Sequence, residues 1–409
     1  MIRINLPVVQ VWLNPATGFS VTFTAPKNSL LKSSQRFLNI GILGSRGIPN
    51  AYGGFEQFAE YLSKGLAEKG HIVSVYNSSK HPYRHSTWQG VRIIHCKDPE
   101  NKLGTAGQFI YDYNCLKDAG KRGFDILLQL GYTSNSVWYR YWPEETVNIV
   151  NMDGLEWKRA KYNKLTQRFL QWAESLAADH ADLLIADSIG IQKYIKGKYQ
   201  KEAVYIPYGA SIPESFSDSP LDELGLKEYQ YYLVIARMEP ENNIETIIRG
   251  YQQSEQPFPL IVIGSSQNKY GQFLLKKYAS SSIQFRGAIY ERNAINSLRH
   301  FSALYFHGHS VGGTNPSLLE AMACECNIAA HDNEFNKAIL GDDASYFLTP
   351  HDVKKIFTQR LTGTAGARRR ELNTEKIKKT YNWQKIIDDY ESIFLQASAQ
   401  RKNVIGKKL

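Results

Sequence analysis

Short apolar runs recur along the chain, each followed by a polar or glycine-containing turn and then by a segment of helical periodicity. This alternation restricts the fold to the α/β class. The run at 37–43, Phe-Leu-Asn-Ile-Gly-Ile-Leu, leads through a glycine-containing loop into a helix predicted over 55–69 and closed by Gly70. Further strands are predicted at 71–76, 91–94, 125–130, 147–150, 182–186 and 203–206. Residues 207–229 are rich in Pro, Ser, Gly and Asp and read as an exposed connection. A second block opens with Tyr-Tyr-Leu-Val-Ile-Ala at 231–236 and continues with strands predicted at 260–263, 283–285, 303–306 and 327–330. Strands separated by helices favour parallel sheets with right-handed crossovers, so each half is expected to be a doubly wound α/β unit. Closing helices, predicted over 353–360, 368–380 and 383–395, carry no catalytic motif and are assigned a structural role.

The 409 residues suffice for two domains of ordinary size, and the 43% hydrophobic and 22% charged content is that of a globular protein. Cys96, Cys115, Cys324 and Cys326 are too few and too irregularly spaced for a disulfide framework, so a reducing, cytoplasmic setting is expected. No apolar run reaches the ~20 residues needed to span a bilayer. The N-terminal segment has a broken apolar run and only Arg3 before it, so it is not expected to be a signal peptide; a loose extension or an extra edge strand is expected instead. A formal net charge of +10 implies an anionic partner. Nucleic acid is not expected, because no RNP-type aromatic motif or zinc-finger spacing accompanies the basic clusters.

Residues 307–322, His-Gly-His-Ser-Val-Gly-Gly-Thr-Asn-Pro-Ser-Leu-Leu-Glu-Ala-Met, compress a strand end, a glycine turn and a helix start. Asn315 reads as an N-cap and Pro316 as the first helical residue, and a helix entered this way presents free N–H groups and a partial positive charge suited to a diphosphate. An ordinary strand-to-helix turn has the same residues. Arg237 follows the first strand of the second block; its guanidinium fork suits a diphosphate or, equally, a surface pair with Glu239 or Glu241. The Gly53-Gly54 loop and the loop at Asp153 fall after strands of the first block, and all four loops are expected at one cleft, outside the carboxyl ends of the strands. Asp153 would orient an acceptor hydroxyl or the donor sugar, or else cap its own loop.

The run Arg-x-x-Pro-Glu after a strand, followed by the Gly-Gly…Leu-Leu-Glu-Ala-Met segment, resembles the second domain of a GT-B glycosyltransferase of the large retaining family four. In the first half, 44–56 (Gly-Ser-Arg-Gly-Ile-Pro-Asn-Ala-Tyr-Gly-Gly-Phe-Glu) and 151–161 (Asn-Met-Asp-Gly-Leu-Glu-Trp-Lys-Arg-Ala-Lys) resemble the bacterial rhamnosyltransferase branch, which builds cell-wall and capsular polysaccharide. The resemblance covers about 37–398. It implies two Rossmann-like domains facing a cleft. The expected organisation is an extension over 1–36, an acceptor-side domain over 37–208 completed by the C-terminal helix 382–409, and a nucleotide-sugar-binding domain over 209–381.

Carried onto this chain, the resemblance implies that Glu320 binds the donor's ribose, that the amides of Gly313, Thr314 and Asn315 take its diphosphate, and that Arg237 neutralises the charge developing on departure. The chain departs from the family at two positions. Gly312 stands where the motif has its first Glu, and Asn242 where a lysine accompanies the arginine. The amides of Gly53 and Gly54, with His309 and Asn242 at the donor, are expected to supply part of what is missing. Retaining members are thought to let the departing diphosphate oxygen take the acceptor's proton, so no dedicated base is implied. His307 and His309 lack a third ligand at suitable spacing, and no metal or other cofactor is expected; the nucleotide sugar is a substrate.

Lys161, Lys164 and Arg168 form one helical stripe, and Leu165, Phe169, Trp172 and Leu176 an apolar one that is expected to be core. With Trp157, Lys158 and Arg159, the residues Lys161 and Lys164 are expected to meet an acceptor diphosphate or anionic lipid headgroups at the inner face of the plasma membrane. The function implied is retaining transfer of L-rhamnose from dTDP-rhamnose to a polysaccharide or lipid-diphosphate-linked acceptor. A UDP- or GDP-sugar transferase of the same fold and a catalytically silent sugar-nucleotide-binding scaffold are the alternatives.

Overall fold

The computed structural model describes residues 36–51, 53–159, 162–358 and 364–405, so all but the last residue of the extension expected over 1–36 and the tail beyond 405 lie outside it, as does Lys161. Two sheets carry the fold. The first contains β1 (Asn39–Leu43), β2 (Ile72–Ser78), β3 (Thr87–Trp88), β4 (Val91–Cys96), β5 (Ile126–Leu130), β6 (Val147–Asn151), β7 (Leu183–Ala186) and β8 (Ala203–Tyr205), in the order β3-β4-β2-β1-β5-β6-β7-β8. The second contains β9 (Tyr232–Ile235), β10 (Leu260–Ile263), β11 (Ile283–Phe285), β12 (Leu304–His307), β13 (Ile328–His331) and β14 (Ser345–Phe347), in the order β11-β10-β9-β12-β13-β14. Every pairing is parallel except that of β3 with β4. Ile40, Ile42, Leu128, Ile149, Leu233, Ile261 and Val262 are wholly buried, as expected for parallel strands covered by helices on both faces.

The strand order reverses between β1 and β5 in the first sheet and between β9 and β12 in the second. Loops leaving the carboxyl ends of strands at such a switch point diverge to opposite faces and leave a crevice between them. That geometry puts Arg237, after β9, beside the glycine turn, after β12. The expected strands all form, with ends shifted by one or two residues; β3 and β14 were not anticipated. Both are short edge strands, and neither Thr-Trp nor Ser-Tyr-Phe is an apolar run with a readable period.

The chain crosses between the sheets through 206–231 and returns near 382, where Ala210 and Asn382 form a parallel bridge. This connection is less exposed than its composition suggests: Tyr208, Ala210, Leu221 and Leu226 are buried, and Ser219–Leu224 is a short helix. The final helix, Trp383–Ile405, runs past the 383–395 span read from its pattern and packs on the helix Gly54–Glu68 of the first half. Trp383 stacks on Tyr61 with ring centroids 4.4 Å apart, and Lys69 reaches both Asp388 and Glu391 at 2.7 Å. A Cβ at Gly65 would stand 2.3 Å from Ile387 Cδ1, so the two helices approach as closely as glycine allows. Among the described residues no helix is long and apolar enough to cross a membrane.

The helix Lys164–His180 overturns the expected core stripe. Leu165 is 75% exposed, Trp172 50% and Phe169 36%, and Leu176 is half-buried. The buried side is instead Leu170, Ala173, Glu174, Ala177 and Ala178. Glu174 sets this rotation. Its carboxylate accepts hydrogen bonds from Tyr194 (2.7 Å), Tyr199 (2.6 Å), Tyr132 (3.2 Å) and the Lys198 ammonium (2.9 Å), while small alanines let the helix approach the segment at Ser136, whose hydroxyl donates to Ala173 O. A buried carboxylate is tolerable only with such partners. Glu174→Ala is expected to cost about 3 kcal/mol in urea unfolding, by leaving the tyrosines and lysine without their acceptor, and Glu174→Gln distinctly less; equal stability of Glu174→Ala and wild type would refute this account.

Candidate active site

A cleft of about 1800 Å³ separates the carboxyl ends of the two sheets and is lined by Gly53, Gly54, Asp153, Arg159, Arg237, Asn242, His309, Gly312, Gly313, Asn315 and Glu320. It is larger than the usual small-molecule pocket of roughly 300–1,000 Å³ and has room for two substrates at once.

The wall from the second sheet is built around the β9 and β12 loops. Ser310 N donates to Glu241 O (3.0 Å) and Asn243 Nδ2 to Gly308 O (2.9 Å), zipping the two loops together. A Cβ at Gly308 would fall 1.9 Å from Asn242 O, so only glycine permits this approach. Asn242 is buried, and its amide is consumed within the wall: Nδ2 donates to Arg237 O (2.8 Å) and Oδ1 accepts from His309 Nδ1 (2.8 Å). It therefore shapes the loop that carries Arg237 and has little left for a donor. His309 lines the cleft as an uncharged group. Burial, then the charges of Arg159 and Arg237, push its pKa down to about 4, so it is neutral at pH 7 and supplies no cation. His307 is buried and likewise held neutral, and among the described residues no three metal-ligating side chains cluster.

Arg237 is exposed, and neither of the pairs considered for it, with Glu239 or Glu241, is formed. Asn315 caps the helix Pro316–Ala323 as its sequence suggests, its Oδ1 accepting from Ser317 N at 2.9 Å, with Pro316 at the first helical position. The amides of Gly313 and Asn315 have no acceptor among the described residues. Thr314 is different. Its amide donates to Asp187 Oδ2 (3.0 Å) and its hydroxyl to Asp187 O, so a residue expected at the diphosphate instead ties the turn to the end of β7 in the first half.

Asp187 reaches Asp153 as well. Both carboxyls are pushed up by burial, Asp187 well above the usual range with Asp153's charge adding to the effect, while Arg159 opposes the rise at Asp153. Asp187 Oδ1 is buried without a donor among the described residues, and two adjacent carboxyls can hydrogen bond only through a proton held between them. We assign that proton to Asp187. Asp153 also accepts from Tyr208 at 3.2 Å and sits at the cleft, half-buried.

Gly312 explains its own departure from the carboxylate of the motif. It has φ +86°, and a Cβ there would lie 3.1 Å from Cα of Gly154, itself at φ +58°. The loop from the first half occupies the space into which a side chain at this position would project. Glu320 faces the cleft but is already held, Oε2 by Arg299 Nη2 at 2.6 Å and Oε1 by Gln57 Nε2 at 3.0 Å. Two carboxylate oxygens offer about four acceptor positions, so two remain for a ligand. Arg299 is buried and its charge is sustained against burial by Glu320. Across the cleft, Gly53 caps the helix Gly54–Glu68, and a Cβ on Gly54 would lie 3.6 Å from Pro316 Cγ, so two helix N-termini, one from each half, face each other.

The residues expected to form an acceptor or membrane surface separate. Arg159 turns into the cleft, paired with Glu156 at 2.5 Å; Trp157 is half-buried beneath Lys158 and Lys198; Lys158 and Lys164 are exposed. Asp187, Tyr208, Gln57 and Arg299 were not anticipated, because no local motif marks them and only the tertiary fold brings them to the site.

Overlaid on known structures, the chain matches sucrose-phosphate synthase from Thermosynechococcus elongatus with a TM-score of 0.74 and 16% identity, over 88% of this chain and 99% of that one. Anabaena Alr3699/HepE, solved in complex with UDP, matches with a TM-score of 0.67 and 13% identity, over 88% and 100%. The fold is GT-B. Within this GT-B chain, residues 221–359 match the family model described as "Glycosyl transferases group 1", and residues 37–211 match "Domain of unknown function (DUF1972)". A curated relative, "Uncharacterized glycosyltransferase MJ1069" of Methanocaldococcus jannaschii, is 26% identical over 256 residues, which is 57% of this chain and 63% of that protein. The match thus spans less than two thirds of the relative's length. The group 1 segment holds Arg237, Asn242, His309, the glycine turn and Glu320.

Proposed function

We propose that the protein is a retaining glycosyltransferase that holds a nucleoside-diphosphate sugar between its two sheets and passes the sugar to a saccharide or lipid-diphosphate-linked acceptor. The observation that carries this reading is the convergence on one cleft of Arg237 and the amides of Gly313 and Asn315, all without a partner among the described residues, with the opposed helix N-termini. Glu320, held by Arg299 and Gln57, presents its remaining acceptor positions to the ribose. Departure of the nucleoside diphosphate puts charge on its oxygens, and Arg237 with the free amides stabilises it.

The second cation comes from the first half. With Asn242 spent in the wall and His309 neutral, Arg159 takes the lysine's part, since it lines the same cleft and its charge is felt at the same imidazole as Arg237's. Asp153 orients the acceptor or the sugar, with Asp187 carrying the proton that keeps the pair from repelling. The leaving oxygen takes the acceptor's proton, which requires no protein base. Arg159→Ala is expected to lower kcat about tenfold, with Arg159→Lys recovering part of it; unchanged kinetics of Arg159→Ala would return this residue to a purely structural pair with Glu156.

L-Rhamnose from a dTDP donor remains the sugar we propose, on the resemblance of 44–56 and 151–161. A UDP-sugar is the second reading, favoured by structural neighbours solved with UDP and UDP-glucose. The deciding experiment offers dTDP-, UDP- and GDP-sugars with a GlcNAc-diphosphate-lipid acceptor, with and without EDTA, and measures product. One donor is expected to be consumed irrespective of EDTA. Binding of a donor without turnover of any would establish the silent scaffold instead.

A further inference from the structure

The stripe that should have been core is solvent-exposed, and it does not stand alone. Trp172 and Phe169 have ring centroids 5.6 Å apart, and Phe169 lies 5.7 Å from Phe109 on the neighbouring helix Thr105–Ala119. The Trp138 indole donates to Phe109 O at 2.9 Å, and Trp138 lies 6.0 Å from exposed Tyr141. Leu165, one turn before Phe169 on its helix, and Ile110, next to Phe109, are both exposed. A contiguous apolar face of this kind on a chain of ordinary composition marks an interaction site.

Its charge selects the partner. Lys164 and Arg168 lie exposed beside Leu165 and Trp172 on the same helix, and Arg140 precedes Tyr141. Most acidic groups of the packed elements are withdrawn, and exposed Asp179, two turns beyond Trp172, is paired with Lys201 at 4.0 Å. Glu174 is buried among its tyrosines, Asp112 is buried and pushed up to about 7, and Asp118 is paired through both oxygens with Arg122. Glu144 and Glu145 remain exposed beyond Trp142. Along the helix Lys164–His180 the face is therefore apolar and aromatic with a cationic margin at Lys164 and Arg168. A second copy of this chain, with its net charge of +10, would cover the apolar residues but bring no excess of negative charge to Lys164 and Arg168, whereas an anionic lipid surface satisfies both features, with Trp and Tyr at headgroup depth.

We propose that the surface formed by Leu165, Phe169, Trp172, Phe109, Ile110 and Tyr141 docks the protein on an anionic lipid membrane. The helix that carries it begins at Asn163, directly after the loop that brings Asp153 and Arg159 to the cleft, so docking presents the cleft to an acceptor at the headgroups. This consequence rests on the proposed transferase function; the docking itself does not.

The test is flotation of the full chain with phosphatidylcholine vesicles, with and without phosphatidylglycerol, combined with tryptophan emission. Wild type is expected to float with the anionic vesicles and shift its emission to the blue. Phe169→Ser/Trp172→Ser should lose about tenfold or more in vesicle affinity while keeping its melting temperature and its nucleotide release with a soluble acceptor. Lys164→Glu/Arg168→Glu should remove the preference for phosphatidylglycerol and its salt sensitivity. Absence of wild-type flotation, or equal flotation of Phe169→Ser/Trp172→Ser, overturns the proposal. So does a concentration-dependent dimer that this variant abolishes, which would assign the face to a second copy. Vesicle binding without turnover of any donor would leave the docking standing and remove the transferase; turnover without vesicle binding would do the reverse.

Discussion

Replacing Arg237 by alanine is expected to lower sugar transfer by a hundredfold or more, on the order of 3 kcal/mol of transition-state stabilisation, with the loss in kcat rather than in acceptor KM. The side chain is exposed at the cleft and makes no ion pair with the carboxylates that follow it, so its removal leaves no orphaned partner and thermal stability should hold. Arg237→Lys should recover only a fraction, since an ammonium cannot bridge two phosphate oxygens in the plane of a guanidinium. The measurement is initial-rate kinetics with the donor that the panel identifies, beside a melting curve. Full activity in Arg237→Ala would remove the leading element of the diphosphate site.

Gly313 carries the second large effect. A Cβ there would fall 2.0 Å from both carboxylate oxygens of buried Asp187, so Gly313→Ala is expected to force apart the contact between the donor turn and the end of β7, at a cost of about 1–3 kcal/mol and with donor affinity falling severalfold or more. In an Asp187→Ala background the same change should cost far less, and this coupling in a double-mutant cycle is the diagnostic. Additivity of the two changes would show that the contact does not form. Asp187→Asn separates charge from shape: its carbonyl can still accept from Thr314 N while its amide donates to Asp153, mimicking the protonated acid. Because Asp187's pKa is raised in the folded protein, the fold holds a proton that the unfolded chain releases near pH 4. Wild-type stability from this group is present below that value and is lost as pH rises toward the elevated pKa. Asp187→Asn should flatten that dependence, and denaturant unfolding across pH 4–8 measures it; an unchanged slope would place the proton elsewhere.

The strands and the cap of the glycine turn were legible because their causes are local. A buried parallel strand needs a short apolar run, and Asn315-Pro316 both caps and starts a helix, whatever surrounds it. Edge strands β3 and β14 were illegible because pairing at one edge places little demand on side chains. The helix Lys164–His180 misleads for a different reason. Its large apolar residues do recur at helical spacing, but the stripe that faces inward is the one bearing Glu174, whose four donors come from β5's following loop and from the helix Ile189–Tyr199. Periodicity reports that a helix has an apolar face and is silent on whether protein or something else covers it.

The site divides along the same line. Sequence by itself determined the α/β architecture, the residues that end strands beside the cleft, and the capped turn that leaves amides free, since each follows from propensity and spacing within a few residues. Tertiary structure alone decided which of those groups remain available. Thr314 is spent on Asp187, Asn242 on Arg237 and His309, and His309 is stripped of charge by burial between two arginines, while Arg159 turns from the expected surface into the cleft. Hydrogen-bond capacity and charge are settled by what lies within a few ångströms, and at this cleft those neighbours come from both halves of the chain.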